Sequence, residues 1–115
     1  MFKKNGSYET VVNEKMRGGE GSVKIEHFLS KDELYDKGRM FARITLVPGS
    51  SIGYHIHEGE METFHILKGA AKISDNGTEI IANPGDTILT KSMTGHSVEC
   101  FGDTPLEMIA LIIFE

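Results

Sequence analysis

Gly49-Ser50-Ser51-Ile52-Gly53-Tyr54-His55-Ile56-His57-Glu58-Gly59-Glu60-Met61-Glu62 is the stretch whose reading decides the fold. His55 and His57 are two residues apart, so on an extended strand both imidazoles point to one face and Ile56 to the other. Two imidazoles converging from one strand form a chelate for a borderline divalent metal. Gly59 lets the chain turn, and Glu62 then heads an alternating stripe with Phe64 and Ile66. A carboxylate at the head of an inward-facing apolar stripe is unfavourable unless it holds a proton or a cation.

Further along, His96 leads a second stripe with Val98 and Cys100. If both stripes face one barrel interior, three nitrogens and one carboxylate oxygen meet near one mouth. The surrounding chain reads as short strands. Segments rich in β-branched and aromatic residues run over 22–29, 40–47, 63–67, 70–74, 79–82, 87–90, 97–101 and 106–114. Turn signals separate them: Pro48-Gly49, Asp75-Asn76-Gly77 as a hairpin, Asn83-Pro84-Gly85-Asp86 and Gly102-Asp103-Thr104-Pro105. Only Ser30 to Lys37 has helical character, with Ser30 as cap and Glu33 three residues later, and it is worth one or two turns. Many strands with almost no helix predict a β-sandwich or a closed barrel.

Residues 1–21 are more polar, and Gly18, Gly19 and Gly21 make them a flexible arm of the same domain, able to lie over its own barrel or a neighbouring subunit. Residues 22–115 form the barrel. The last strand is apolar on both faces, with Leu106, Met108, Ala110, Ile112 and Phe114 alternating with Ile109, Leu111 and Ile113. That predicts cover on both sides, from a second sheet or from a partner chain. A homodimer is therefore expected.

The chain has 115 residues, a length that suits one domain. Its single cysteine, Cys100, leaves no disulfide framework and fits a reducing compartment. The longest apolar run, Met108 to Phe114, is far below the roughly 20 residues that span a bilayer. The expectation is a soluble cytoplasmic protein without a membrane partner. With 12 basic and 17 acidic residues the formal charge is −5, and no basic run offers a nucleic-acid footprint.

The spacing resembles that of the cupin family. Gly49, five residues, His55-x-His57, four residues, Glu62, six residues and Gly69 fill every defining position of the first cupin motif. The second motif is partly preserved: Gly85-Asp86 opens it and His96 occupies its histidine position. Lys91 stands where the family usually has proline, Met93 where it has glycine and Cys100 where it has asparagine. The resemblance implies an all-β fold, the double-stranded β-helix or jelly roll, with a metal inside the barrel held by His55, His57, Glu62 and His96.

Such a ligand set suits one divalent ion, Mn, Fe, Co, Ni or Zn, and affinity order does not choose among them. A six-coordinate ion keeps two positions for water or ligand, and a single carboxylate leaves the centre positive, which favours a small carboxylate-type anion. The resemblance points to an oxalate-decarboxylase-like or dioxygenase-like protein. Two other classes stay open: a ligand-binding or sensing module without turnover, and a sugar or sugar-phosphate isomerase or epimerase, for which Arg43, Lys68 and Lys91 are the evident phosphate-binding cations. Tyr54, Arg43, Glu60, Phe64 and Cys100 are further candidates for the pocket or its surroundings, and no acid or base is assigned. His27 and His65 read as ordinary strand residues.

Overall fold

A computed structural model describes residues 1–115. Ten strands follow one another: β1 (Glu9–Glu14), β2 (Ser22–Leu29), β3 (Gly38–Leu46), β4 (Ser51–Ile56), β5 (Glu60–Lys68), β6 (Ala70–Asp75), β7 (Thr78–Ala82), β8 (Thr87–Thr90), β9 (Gly95–Phe101) and β10 (Leu106–Phe114). They form a six-stranded sheet in the order β1-β2-β3-β10-β5-β8 and a four-stranded sheet in the order β4-β9-β6-β7. Every pairing is antiparallel. This is the jelly-roll barrel that the resemblance to cupins implies, within the β-sandwich or barrel class that the strand pattern predicts.

One core runs between the sheets. Ile25, Ala42, Ile44, Phe64, Ile66, Met108, Ala110 and Ile112 face it from the larger sheet, and Ile52, Ala71, Ile73, Val98 and Cys100 from the smaller. Period-two alternation produces this directly: the buried members of β3, β5 and β10 are every second residue, as are His96, Val98 and Cys100 of β9. The β6–β7 hairpin turns at Asn76 and Gly77 with φ of 48° and 87°, the paired positive values that an Asn-Gly turn supplies.

Two expectations need correction and a third narrows to the partner chain. The segment 30–37 contains no helix. Its capping box does form, with the Ser30 amide donating to Glu33 Oε1 at 2.9 Å and the Glu33 amide to Ser30 Oγ at 3.2 Å. Tyr35 and Asp36 then take positive φ, 55° and 56°, and the chain turns away before a helix can propagate. The arm is not a loose lead. β1 pairs with β2 from Glu9 opposite His27 to Glu14 opposite Ser22, and a tight turn at Met16–Gly18 packs on β4. β1 escapes a reading by pattern because it is an edge strand with no buried residue. Finally, no second sheet covers the outer face of β10. Ile109 and Leu111 are half-buried there and Ile113 is exposed, flanked by exposed Leu67 and Leu89.

Candidate metal centre

β4 and β9 bring the first two imidazoles together: His55 lies directly opposite His96. Between Ile52 and His55 the register slips, because three steps on β4 face two on β9. This bulge at Gly53-Tyr54 rephases the strand, so Ile52 and His55 both face inward although they are three apart. His57 follows on the same face, buried, while Ile56 is exposed. The turn at Gly59, with φ of 73°, starts β5, where Glu62 heads the inward stripe with Phe64 and Ile66.

The four donor atoms lie within 4.8 Å of one another. The Nε2 atoms of His55, His57 and His96 are each 3.1 Å apart. Glu62 Oε1 is 3.0 Å from Nε2 of both His57 and His96. Ligands at about 2.1 Å from a cation are separated by about 3.0 Å when they meet at right angles, and by about 3.4 Å in a tetrahedron. The observed spacing is that of right angles, so the group fits an octahedral divalent ion better than a tetrahedral one.

The other ring nitrogens show why the group fits a cation at all. His55 Nδ1 donates to Gly53 O at 2.8 Å and His57 Nδ1 to Glu60 Oε1 at 2.8 Å, while His96 Nδ1 shares a 3.0 Å hydrogen bond with Thr90 Oγ1. When His55 and His57 are neutral, Nε2 of each then carries only a lone pair. Those lone pairs converge with the Glu62 carboxylate and His96 Nε2 on one point, an arrangement that a positive ion relieves. The partners also fix the ring planes. Phe64 adds packing, stacked on His96 with centroids 5.2 Å apart and planes 3° from parallel.

The surroundings bias the charges of the group. Glu62 is deeply buried, which alone would raise its pKa, yet its bonds to His57 and His96 bring it below the ordinary carboxylate value. Glu60 is lowered to about 2, first by the Arg39 guanidinium beside it and then by His57, so it stays ionised. Burial lowers His55, with the neighbouring imidazoles adding to the shift. His57 is raised, because its bond to Glu62 and the nearby Glu60 outweigh burial.

Arg39 escapes a reading of the sequence. Ile112 pairs with Met40 but Ile113 pairs with Gly38, so Arg39 is the extra residue of a bulge. Gly38 makes this feasible, since a Cβ there would sit 2.3 Å from Ile112 O. Freed from strand alternation, Arg39 reaches Glu60, donating Nε to Oε2 and Nη2 to Oε1, both at 2.7 Å. Thr90 and the turn residues Met16 and Arg17 are likewise invisible to motif spacing.

The donors open into a cavity of about 40 Å³ walled by Met40, Ile44, Ile52, Phe64 and Ile112, with Arg17 and Arg39 as its cationic members. The sequence-derived candidates divide around it. Phe64 is a wall residue and Glu60 supports His57. Cys100 is buried in the core, its thiol donating to Thr104 O at 3.2 Å. Tyr54 and Arg43 do not line the cavity. Tyr54, displaced by the β4 bulge, is exposed with its ring over Gly95. Arg43 has regular strand phase and pairs on the outer face with Glu26.

A family model described as "Cupin domain" matches residues 42–113. The chain belongs to the cupin family. An oxalate-binding protein of Thermotoga maritima is 48% identical to it over 98 residues, covering 85% of this cupin and 81% of the relative. A crystal structure of a predicted oxalate decarboxylase from Thermotoga maritima superposes with a TM-score of 0.96 at 42% identity, covering 100% of both chains. The structure of KdgF from a Halomonas species, at a TM-score of 0.73 and 17% identity over 100% of this chain and 94% of that one, shares the fold.

Proposed function

We propose that this cupin binds a small dicarboxylate, with oxalate as the type case, at a divalent metal ion held by His55, His57, Glu62 and His96. The observation that carries the reading is the right-angle donor set, with separations of 3.0–3.1 Å. The name of the 48% identical relative supports oxalate as the ligand class. When bound, the metal supplies Lewis-acid charge for an oxygen-chelating anion, and Mn, Fe, Co, Ni or Zn would each serve.

The chain's own residues do the rest. Gly53, Glu60 and Thr90 orient the three imidazoles. The apolar wall excludes water, and a cavity of about 40 Å³ admits only a very small ligand. Among titratable residues lining it, His55, His57 and Glu62 are proposed ligands and Arg17 and Arg39 are permanent cations. No spare carboxyl or phenol faces the ligand to move a proton, which favours binding over decarboxylation or isomerisation.

Elemental mass spectrometry of untagged protein tests the site. Near one metal per chain is expected, with His55→Ala/His57→Ala empty. Oxalate should then bind only the loaded protein in calorimetry. Absence of metal from both proteins, after incubation with each of the five ions, would sink the reading.

A homodimer belongs to the same proposal. Phe41, Leu111, Thr63 and Leu89 lie in register across four strands of the larger sheet, an apolar strip on its outer face. A second copy is the expected cover, in a reducing cytoplasm that suits the free thiol of Cys100. Sedimentation at micromolar concentration should show twice the chain mass of 12.7 kDa, and a monomer there would remove the dimer.

A further inference from the structure

We infer that Arg17, on the turn over β4, is the residue by which this site prefers a dianion to a monoanion. The inference rests on the metal-site reading above and concerns what balances the ligand's second charge. A divalent ion and the Glu62 carboxylate together leave one positive charge. Arg39 adds none, because Glu60 neutralises it through a two-bond fork. A monocarboxylate would make the cavity neutral, whereas a dicarboxylate would leave one buried negative charge unmatched, which is strongly unfavourable. Arg17 is the remaining cation lining the cavity, and its guanidinium has no hydrogen bond or ion pair to the protein.

The backbone holds Arg17 at the rim by unusual means. Lys15 and Arg17 both take left-handed φ, 49° and 55°, a conformation unfavourable for a side-chain-bearing residue. Such outliers persist where surrounding contacts impose them. Gly53 is the seat: a Cβ on it would lie 2.0 Å from Arg17 O, so only glycine lets the turn approach. The flanks are tied down, with Ser51 N donating to Glu20 O and Lys15 N to Gly21 O, while the Arg17 side chain stays exposed. Gly53 O also receives His55 Nδ1–H. The turn therefore sits on the residue that orients the proposed ligand His55, with an unpaired cation at the rim of the cavity.

Calorimetry on Mn²⁺-loaded wild type, Arg17→Ala and Arg17→Lys tests this, with oxalate and acetate as probes and metal content measured for each protein. Arg17→Ala should keep its metal and its acetate affinity and lose oxalate affinity by about tenfold to a hundredfold, as for one charge-assisted contact. Arg17→Lys should recover most of it. Oxalate should also slow tryptic cleavage after Arg17 in the loaded wild type, and acetate should not. Unchanged oxalate affinity in Arg17→Ala, or an equal loss for both anions, would overturn the inference while leaving the metal site standing. A loaded wild type that ignores oxalate would remove the ligand assignment itself, and this inference with it.

Discussion

Strand β3 carries two arginines, and each is forked onto a glutamate. Arg43 donates Nε and Nη2 to Glu26 at 3.1 and 3.0 Å, and Arg39 donates the same two nitrogens to Glu60, both at 2.7 Å. The glutamates are equally sheltered, each with 11% of its side chain exposed. By local chemistry the pairs are near twins, but their connections differ. Arg43 sits opposite Glu26 in the regular β2–β3 register, and its remaining contact is Asn5. Arg39 is the residue skipped at a bulge, and Glu60 hands the connection on to His57. The role of an ion pair depends on what its acid touches next, and here a one-residue slip of the strand decides that.

The comparison breaks most readily at the metal. Arg39→Ala leaves Glu60 without its anchor and His57 without a fixed partner, and losses of this kind weaken metal affinity by about tenfold to a hundredfold. Arg43→Ala should change it by less than about twofold, since Glu26 touches no ligand. Arg39→Lys should fall between, because a lysine keeps the charge but not the fork. Competition with a chromophoric chelator reads all three, and equal effects of Arg39→Ala and Arg43→Ala would erase the distinction.

Stability tests the Arg43 pair. In metal-free protein, Arg43→Ala should cost about 2 kcal/mol in urea unfolding, because Glu26 would be left buried without its donors. The pH dependence sharpens this. The hydrogen bonds from Arg43 hold the Glu26 carboxyl below its ordinary value, with burial opposing and the Arg43 and Lys24 charges adding. Folded protein thus binds that proton less readily than unfolded chain. The stabilisation is complete above the unfolded value of about 4.3 and fades as pH falls below it. The gap between wild type and Glu26→Gln, about 1 kcal/mol at pH 7, should therefore narrow towards pH 3. A gap that widens in acid would mean that Glu26 is not held as the carboxylate.

The same contrast explains what the sequence could show. The stripes through Glu62 and His96 are legible because alternation and motif spacing are local, and the geometry brings all four named donors together. Asn76-Gly77 is legible because its turn chemistry is written in two residues. Arg39 is not, since strand parity sends it outward and only the pairing of Ile113 with Gly38 reveals the slip. Arg43 shares that outward parity, and only its place on the strand before the motif makes it look close to the site. β1 has no buried face to betray it, and the Met16–Gly18 turn depends on a contact with Gly53 more than thirty residues away.

The smallest expected effect lies at Met93, where the second motif usually has glycine. Met93 takes φ of 68°, the left-handed region that glycine enters freely. Its amide donates to His57 O, and Ser92 Oγ accepts from Gly59 N, so this loop clasps the turn between two ligands. The Met93 side chain is 66% exposed and offers little burial in return for the strained backbone. Met93→Gly should relieve about 1 kcal/mol of steric cost and give back part of it through the freer unfolded chain. The net is a gain of about 0.5 kcal/mol, or roughly 2–4 °C in melting temperature, with metal affinity unchanged. A loss of stability would show that the exposed methionine is held by a contact on this face, and a second copy of the chain would then be the partner to look for.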